Sequence, residues 1–215
     1  MSEEVLPPGE GEKMRLLRNA PVQARSAARL AGLLDAAASV LDEVGMERLT
    51  TALVAERAGA SIGTVYRYFP DRVTLLQALA ARNLQRLEER IDAAIPEAVG
   101  TALEALGTVA DIFLSMFRAE PGFRSLRLGD VLDVRDAGRP EPAKARLARS
   151  IADSMAVAFD DVDAEVLASR LDVALEVLDA LVTRAFAVDP GGEERFVSAA
   201  RGAYLSLLDD RVLTT

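Results

Sequence analysis

The chain has 215 residues, half of them hydrophobic, and contains neither cysteine nor histidine. This hydrophobic content is that of a folded protein, and the missing cysteines exclude disulfide bonds and thiolate metal sites. Without histidine the commonest general base and metal ligand is lost, which argues against an enzyme. Nothing resembles a signal peptide or an apolar run of about 18 residues, so we expect a cytoplasmic protein with no membrane partner.

The formal net charge of −9 is unevenly distributed along the chain. Residues 13–72 carry nine basic and six acidic side chains, a balance of +3, whereas residues 73–215 carry 16 basic and 24 acidic ones, a balance of −8. This asymmetry predicts a small cationic domain followed by a larger acidic one. Alanine, leucine and arginine dominate and alternating β-branched runs are absent, so the predicted fold class is all-α.

The first helix is predicted to begin at Pro21, because a proline at the first helical position loses no intrahelical hydrogen bond. Residues 1–12 are acidic and rich in proline and glycine, and we predict a disordered arm over residues 1–20. Apolar residues recur with helical spacing from Leu30 to Val44, and Gly45 stands where a helix-terminating glycine is expected.

A helix-turn-helix follows the first helix. Thr50 is placed to cap a short second helix, and Gly59 supplies a turn residue behind it. Ser61 is placed to cap a third helix that ends at Tyr68, and hydroxyls and amides at its start are suited to bind a phosphate oxygen. Two short helices joined by such a turn can present the second one to the major groove of DNA.

A fourth helix is predicted from about Asp71 to Pro96, where we place the domain boundary. Residues 21–96 would then form a DNA-binding domain that includes this connecting helix, and residues 97–215 a second helical domain. The helices predicted for the second domain, separated by Pro- and Gly-containing breaks, are Ala102–Ala119, Phe123–Val134, Ala143–Phe159, Asp163–Val188 and Glu193–Val212.

A pattern of about a dozen residues at fixed spacing spans the helix-turn-helix and the start of the fourth helix. It consists of a Thr-Thr pair, Val54-Ala55, Ala58, Gly59, Ser61, Gly63, Thr64, Tyr66, Tyr68, Phe69, Arg72 and Leu75 or Leu76. Over residues 33–79 it resembles the N-terminal domain of the tetracycline-repressor-like (TetR) transcriptional regulators. Ile62 departs from a position that is often polar or basic, and Val73 from a common glutamate. The resemblance implies a dimeric DNA-binding regulator, most often a repressor that a small effector releases.

The resemblance also implies which residues contact DNA. Thr50 or Thr51 would meet a phosphate, and Arg72 would bind a flanking one. Arg67 would read a base edge, since an arginine that binds guanine through two hydrogen bonds is the commonest specific contact. The full predicted DNA-binding set is Arg25, Arg29, Thr50, Thr51, Ser61, Ile62, Gly63, Thr64, Tyr66, Arg67, Tyr68 and Arg72. For Arg25 and Arg29 a merely solvated face is an equally good interpretation.

In this family, large apolar residues of the second domain line an effector cavity. The lining predicted here is Phe113, Met116, Phe117, Phe123, Leu126, Met155, Phe159 and Phe186, and the predicted effector is a small, largely apolar molecule. The candidates for its polar anchors are Ser115, Ser154, Thr183 and Arg184. Ordinary core packing is the competing interpretation for each lining residue.

The last two helices carry small residues beside large ones, as helices from two subunits do in an intermolecular four-helix bundle. The predicted homodimer contacts are Leu171, Leu178, Leu181, Val182, Phe196, Ala200, Ala203, Tyr204 and Leu207. A two-fold dimer sets its recognition helices roughly 34 to 36 Å apart, so the predicted partner is double-stranded DNA with an inverted-repeat operator.

Two acidic groups, Asp130–Asp136 and Asp160–Glu165, invite a metal-site interpretation. Carboxylates that favour helix N-termini or face water explain them better, and we predict neither metal nor cofactor. The alternatives to a repressor are an activator and a protein-interaction adaptor that keeps the fold without binding DNA. An adaptor would show no salt-dependent binding of DNA.

Overall fold

The structure, a computed structural model, describes residues 10–126 and 141–209, with side chains from residue 24 onward. These residues form the helices α1 (Glu10–Val44), α2 (Thr51–Arg57), α3 (Ile62–Tyr68), α4 (Arg72–Ala94), α5 (Ala102–Ala119), α6 (Ala143–Ala158), α7 (Ala164–Ala185) and α8 (Glu194–Leu207). The all-α fold class is confirmed. None of the helices within these two ranges is long and apolar enough to cross a membrane.

α1 begins at Glu10, so the helix start predicted at Pro21 was wrong. The residues before Pro21 are rich in Glu, Lys, Met, Leu and Arg, whose high helix propensity favours continuing the helix through the proline. Residues 10–20, which the sequence assigned to a disordered arm, are therefore helical. Residues 1–9 of that arm lie outside the described residues.

Two further helix predictions differ from the structure. α8 ends at Leu207 instead of Val212, because the chain leaves the helix where the Leu208 N–H bonds back to the Leu205 carbonyl. Residues 121–126 form turns instead of opening a helix at Phe123, and residues 127–134 of that predicted helix lie outside the described part of the chain.

α4 belongs to two apolar cores. Leu75, Leu76 and Leu79 in its first half are buried against α1, α2 and α3. Leu87 and Ile91 in its second half are buried in a larger core with α5, α6, α7 and α8. The apolar stripe of α4 runs on without a break, so this single helix contributes side chains to both cores.

A buried ion pair joins α6 to α7. The Lys144 ammonium lies 2.8 Å from Asp179 Oδ2 and 2.7 Å from Glu176 Oε2. Lys144 and Asp179 are only 6% and 1% exposed. Burial alone would lower the pKa of Lys144, but its hydrogen bonds to the two carboxylates outweigh that effect and raise the pKa above the usual value. Lys144 is therefore a charged residue inside the larger core.

Candidate nucleic-acid interface

The helix-turn-helix is held by side-chain caps at both helix starts. Thr50 Oγ1 accepts a hydrogen bond from the Leu53 N–H at 3.2 Å, and Ser61 Oγ accepts one from the Thr64 N–H at 3.1 Å. Gly59, with φ of +58°, makes the turn between the helices in the left-handed region that favours glycine. The two predicted caps and the predicted turn residue are confirmed.

α3 presents a core side and an exposed side. Val65 is fully buried, and Phe69 directly after the helix is 2% exposed. Ile62 and Tyr66 are 47% and 50% exposed, and Arg67 is exposed beside them. Positions four apart are neighbours on a helix surface, so the structure brings these predicted DNA-binding residues onto one outward face.

α1 lies against the end of α3. Ser26 Oγ is 3.1 Å from the hydroxyl of Tyr68, a contact that nothing in the sequence signalled. Arg25 and Arg29 are exposed on the same helix and line an open groove of about 430 Å³ together with Ala58. The two arginines predicted to face DNA or solvent therefore lie beside the helix-turn-helix.

Of the two threonines predicted to meet a phosphate, the structure favours Thr50. Thr51 is 8% exposed and lies on the buried side of α2, whereas Thr50 is exposed before the helix. Thr51 therefore offers DNA little surface. The Arg72 guanidinium is exposed and donates a hydrogen bond to the Met46 carbonyl oxygen at 2.5 Å, which ties the start of α4 to the loop before α2.

Replacing Ser61 with alanine is expected to lower the free energy of unfolding by about 1 kcal/mol, because the Thr64 N–H loses its cap. Urea denaturation followed by circular dichroism measures this change. Ser169→Ala, at an exposed position of α7, is the matched control and should leave the stability unaltered. Equal stability of the Ser61→Ala variant and the unchanged protein would contradict the capping role.

Four phenylalanine rings predicted to line an effector cavity pack against one another in the larger core. Ring centroids lie 5.3 Å apart for Phe113 and Phe117 and for Phe117 and Phe123, and 5.7 Å apart for Phe117 and Phe186. Met116 and Met155 are buried in the same core, and Phe159 packs against it half-buried. The structure brings these seven predicted residues together.

Leu126 does not join them. It is 3% exposed and packs into the smaller core with α1 to α4, so its assignment to the effector lining was wrong. The physical reason is the turn after α5, which folds back onto α1.

That turn packs into both cores. The Gly122 N–H donates to Asp42 Oδ1 at 2.9 Å, with Gly122 at φ of +75°. A Cβ on Gly122 would lie 3.0 Å from Ala38 Cα, so only glycine allows this approach to α1. Phe123 enters the larger core and Leu126 the smaller one. The sequence analysis missed this junction, since neither Asp42 nor Gly122 belongs to a motif.

The predicted polar anchors divide into two groups. Ser115 bonds the Ile112 carbonyl of its own helix, Ser154 bonds Asp92, and Arg184 pairs with Glu193 at 2.8 Å. The hydroxyls of Thr183 and Tyr204 are both buried, and neither has a hydrogen-bond partner among the described residues. Burial raises the pKa of the Tyr204 phenol. The described part of the second domain therefore contains two buried hydroxyls whose hydrogen-bonding capacity is unused.

Five predicted dimer contacts are enclosed within the protomer. The residues with no exposed surface are Leu171, Leu178, Val182, Ala200 and Tyr204. They fill the space between α7, α8 and the rest of the larger core, so they cannot touch a second chain, and their assignment was wrong. Leu181, Phe196 and Ala203 are half-buried and Leu207 is 38% exposed, so these four remain available to a partner.

The acidic group before α7 has a structural role. Asp163 Oδ1 accepts hydrogen bonds from the backbone N–H groups of Glu165 and Val166, both at 3.0 Å, and thereby caps the helix. Over residues 10–126 and 141–209 no three carboxylates are arranged to hold a metal ion. Asp130, Asp133 and Asp136 lie outside the described residues.

Two family profiles match the chain. Residues 33–79 match the bacterial regulatory proteins of the tetR family. Residues 100–212 match the tetracyclin repressor-like C-terminal domain. The first match covers the helix-turn-helix with its flanking helices, and the second covers most of the larger core.

Two solved structures have a fold similar to that of this chain over most of its length. A TetR-family transcriptional regulator from Streptomyces coelicolor is 37% identical, with a TM-score of 0.68, and the match covers 86% of this chain and 99% of that one. The fatty acid degradation regulator FadR from Bacillus halodurans, 18% identical with a TM-score of 0.62, matches over 85% of this chain and 95% of its own. The second likeness shows the fold alone.

Curated relatives match over shorter stretches. The transcriptional repressor KstR of Mycolicibacterium smegmatis is 39% identical over 62 residues, 29% of this chain and 30% of the repressor. The nucleoid occlusion factor SlmA of Mannheimia succiniciproducens is 32% identical over 98 residues, 44% of each chain. The chain thus spans less than half the length of these curated relatives.

Proposed function

The chain belongs to the TetR family of transcriptional regulators, and on that premise we propose that it represses transcription by binding an inverted-repeat operator as a homodimer. We further propose that a small, largely apolar effector releases it from DNA. The observation that carries the proposal is the exposed face of α3, where Ile62, Tyr66 and Arg67 project from a helix locked to the core through Val65.

The contacts with DNA divide by chemistry. Arg67 carries a guanidinium that can form two hydrogen bonds with a guanine edge in the major groove. Thr50, Ser61 and Arg72 are exposed at helix starts and serve the phosphate backbone, which positions the protein without reading sequence. Tyr66 has a half-exposed ring whose hydroxyl can reach a phosphate while its edge packs on the groove wall.

The homodimer is proposed to form through the outward faces of α7 and α8. Val173 of α7 is 55% exposed, an unusual fraction for a valine on a packed helix, and Leu181 is partly exposed on the same helix. The outward face of α8 is lined with small residues that permit close helix approach. These residues are Ser198, Ala199, Gly202, Ala203 and Ser206. A second copy packed here would complete a four-helix bundle.

Replacing Gly202 with arginine is expected to convert the dimer into a monomer. A Cβ at Gly202 would meet no atom within 4 Å, so the protomer itself can accommodate the larger side chain. In a bundle of two chains the arginine would keep the α8 helices apart. Light scattering coupled to size exclusion measures the mass, and Ala119→Arg, exposed at the end of α5, is the control. A Gly202→Arg protein that remains dimeric would place the interface elsewhere.

The effector is proposed to bind among the aromatic residues around Phe117. The apolar rings favour a largely apolar molecule, and the unpartnered hydroxyls of Thr183 and Tyr204 supply polar contacts for it. The turn after α5 offers a route to DNA, because Phe123 packs on Phe117 while Gly122 is bonded to Asp42 of α1. A ligand that displaces Phe123 would strain this bond and so move α1.

Selection of bound duplexes from a random DNA pool tests the proposed function. We expect an inverted repeat whose affinity falls steeply as salt rises. Transcription from a template that carries the repeat then separates repressor from activator, and candidate molecules are scored by whether they release the DNA. The match to KstR, named as a repressor, supports repression. Absence of any salt-dependent DNA binding would instead favour the adaptor alternative.

A further inference from the structure

Asn83 is a buried polar side chain on α4. It is 3% exposed, and along this helix, which the structure describes throughout, all the other buried residues are apolar. The amide nitrogen, Nδ2, is enclosed and has no hydrogen-bond partner among the described residues. A buried donor without a partner destabilises a folded protein, and native proteins contain few of them. An amide retained at such a position therefore indicates a role other than packing.

Asn83 lies where α4 passes from one core to the other. Ala80, three residues before it, is buried in the smaller core, and Leu87, four residues after it, is buried in the larger core. Residues at these spacings share one side of a helix. The unpaired amide therefore stands on the inward side of α4 at the boundary between the two cores.

The end of α5 reaches the same boundary. Glu120 directly after α5 pairs with Arg86 of α4 at 3.2 Å, and Asn83 precedes Arg86 by three residues, about 4.5 Å of helix. The turn that follows places Phe123 in the larger core and Leu126 in the smaller one. The amide on α4 and the edge of the aromatic residues around Phe117 thus lie at one level of the fold.

We propose that Asn83 binds the effector by donating a hydrogen bond from Nδ2 to a carbonyl or carboxylate oxygen. The inference rests on the proposed function, because it assigns a polar contact to the effector site around Phe117. The aromatic rings bury the apolar body of the molecule, and the amide pairs with its oxygen. A hydrocarbon of the same shape leaves the donor unpaired, so the site selects carbonyl compounds over hydrocarbons.

Two matched pairs of probes test this selection: benzophenone with diphenylmethane, and acetophenone with ethylbenzene. Each pair differs only by a carbonyl in place of a methylene group. Calorimetric titration of the full-length protein should show each ketone bound about tenfold more tightly than its hydrocarbon, the effect of one hydrogen bond in an apolar site. Asn83→Leu keeps the approximate volume and removes the donor, so the variant should lose the preference for the ketone.

The stability of Asn83→Leu without any probe is a second measurement. Leucine replaces an unpaired amide with an apolar side chain, so the thermal midpoint should stay the same or rise. A fall in the midpoint would show that the amide has a structural partner and would overturn the proposal. Gln85→Leu is the matched control, because Gln85 is an exposed amide on the same helix that bonds Glu89 at 2.8 Å. It should retain the full preference for the ketone.

The role of Asn83 and the proposed function can fail separately, because the titrations involve no DNA. An unchanged protein that binds no DNA in the selection would refute the proposed function. An unchanged protein that binds the ketones no better than the hydrocarbons would overturn the role of Asn83 alone. The same conclusion would follow if Asn83→Leu kept the preference, or if Gln85→Leu lost it equally.

Discussion

Replacing Lys144 with methionine is expected to lower the free energy of unfolding by about 3–5 kcal/mol. The substitution deprives the Asp179 carboxylate, which is 1% exposed, of the ammonium group 2.8 Å away. Water cannot take over that role inside the larger core, and a buried charge that loses its counterion is among the costliest defects in a protein. Glu176 is affected less, because its side chain is 57% exposed.

Chemical denaturation of the variant measures the effect, and two comparisons define it. Arg118→Met removes an exposed cation from α5 and should cost little. Lys144→Met combined with Asp179→Leu removes both charges and should recover most of the lost stability. Because the pKa of Lys144 is raised, the pair stabilises fully below the ordinary pKa of 10.5 and loses its effect only at higher pH. A loss below about 1 kcal/mol for the single variant would contradict a buried, charged pair.

Replacing Arg67 with alanine is expected to remove about 1–3 kcal/mol of discrimination between the selected operator and a sequence altered at the contacted base. The guanidinium is exposed on α3 between Tyr66 and Tyr68, and its proposed partner is a guanine edge. Binding to unrelated DNA should weaken much less, since phosphate contacts dominate there. Titration of both duplexes at one salt concentration measures the difference.

Arg118→Ala is the control for this experiment, because Arg118 is exposed on α5, outside the helix-turn-helix. It should leave both affinities as they are. If Arg67→Ala instead weakens all duplexes equally and reduces the salt slope by about 0.9, Arg67 binds a phosphate and another residue reads the sequence. Ile62, exposed on the same face, would then be the next candidate.

The features that the sequence predicted correctly are those encoded by neighbouring residues. Thr50 and Ser61 cap their helices through amides three residues away, and Gly59 turns the chain by its own backbone freedom. The spacing of apolar residues likewise predicted α5 with the bounds that the structure has. Local chemistry of this kind does not depend on what the rest of the chain does.

Predictions failed where a distant contact decides the outcome. The apolar stripes of α7 and α8 were identified, but periodicity does not tell whether a stripe faces its own chain or a second one, and Tyr204 proved to be internal. Leu126 was assigned to the wrong core because the turn after α5 folds back to α1. The contact of Ser26 with Tyr68 bridges 42 residues and had no signal.

Lys144 is an intermediate case. It lies three and seven residues before Leu147 and Ile151, both buried, so the helical period already places it on the inner face of α6. A lysine on such a face predicts an acidic partner on a neighbouring helix. Which acid that is depends on how α6 and α7 pack, and only the structure identifies Asp179.

The sharing of α4 between two cores has a consequence for how the protein can be divided. A fragment that stops at residue 96 would keep the recognition helix but expose Leu84, Leu87 and Ile91, which are buried in the intact chain. Such a fragment would aggregate through that stripe. If either core loosens, α4 is displaced and the other core loses the side chains that α4 contributes to it. Heat should therefore melt the two domains in a single cooperative transition. The two domains would then form one thermodynamic unit, and a change that rigidifies the larger core would also rigidify α4, against which the helix-turn-helix packs.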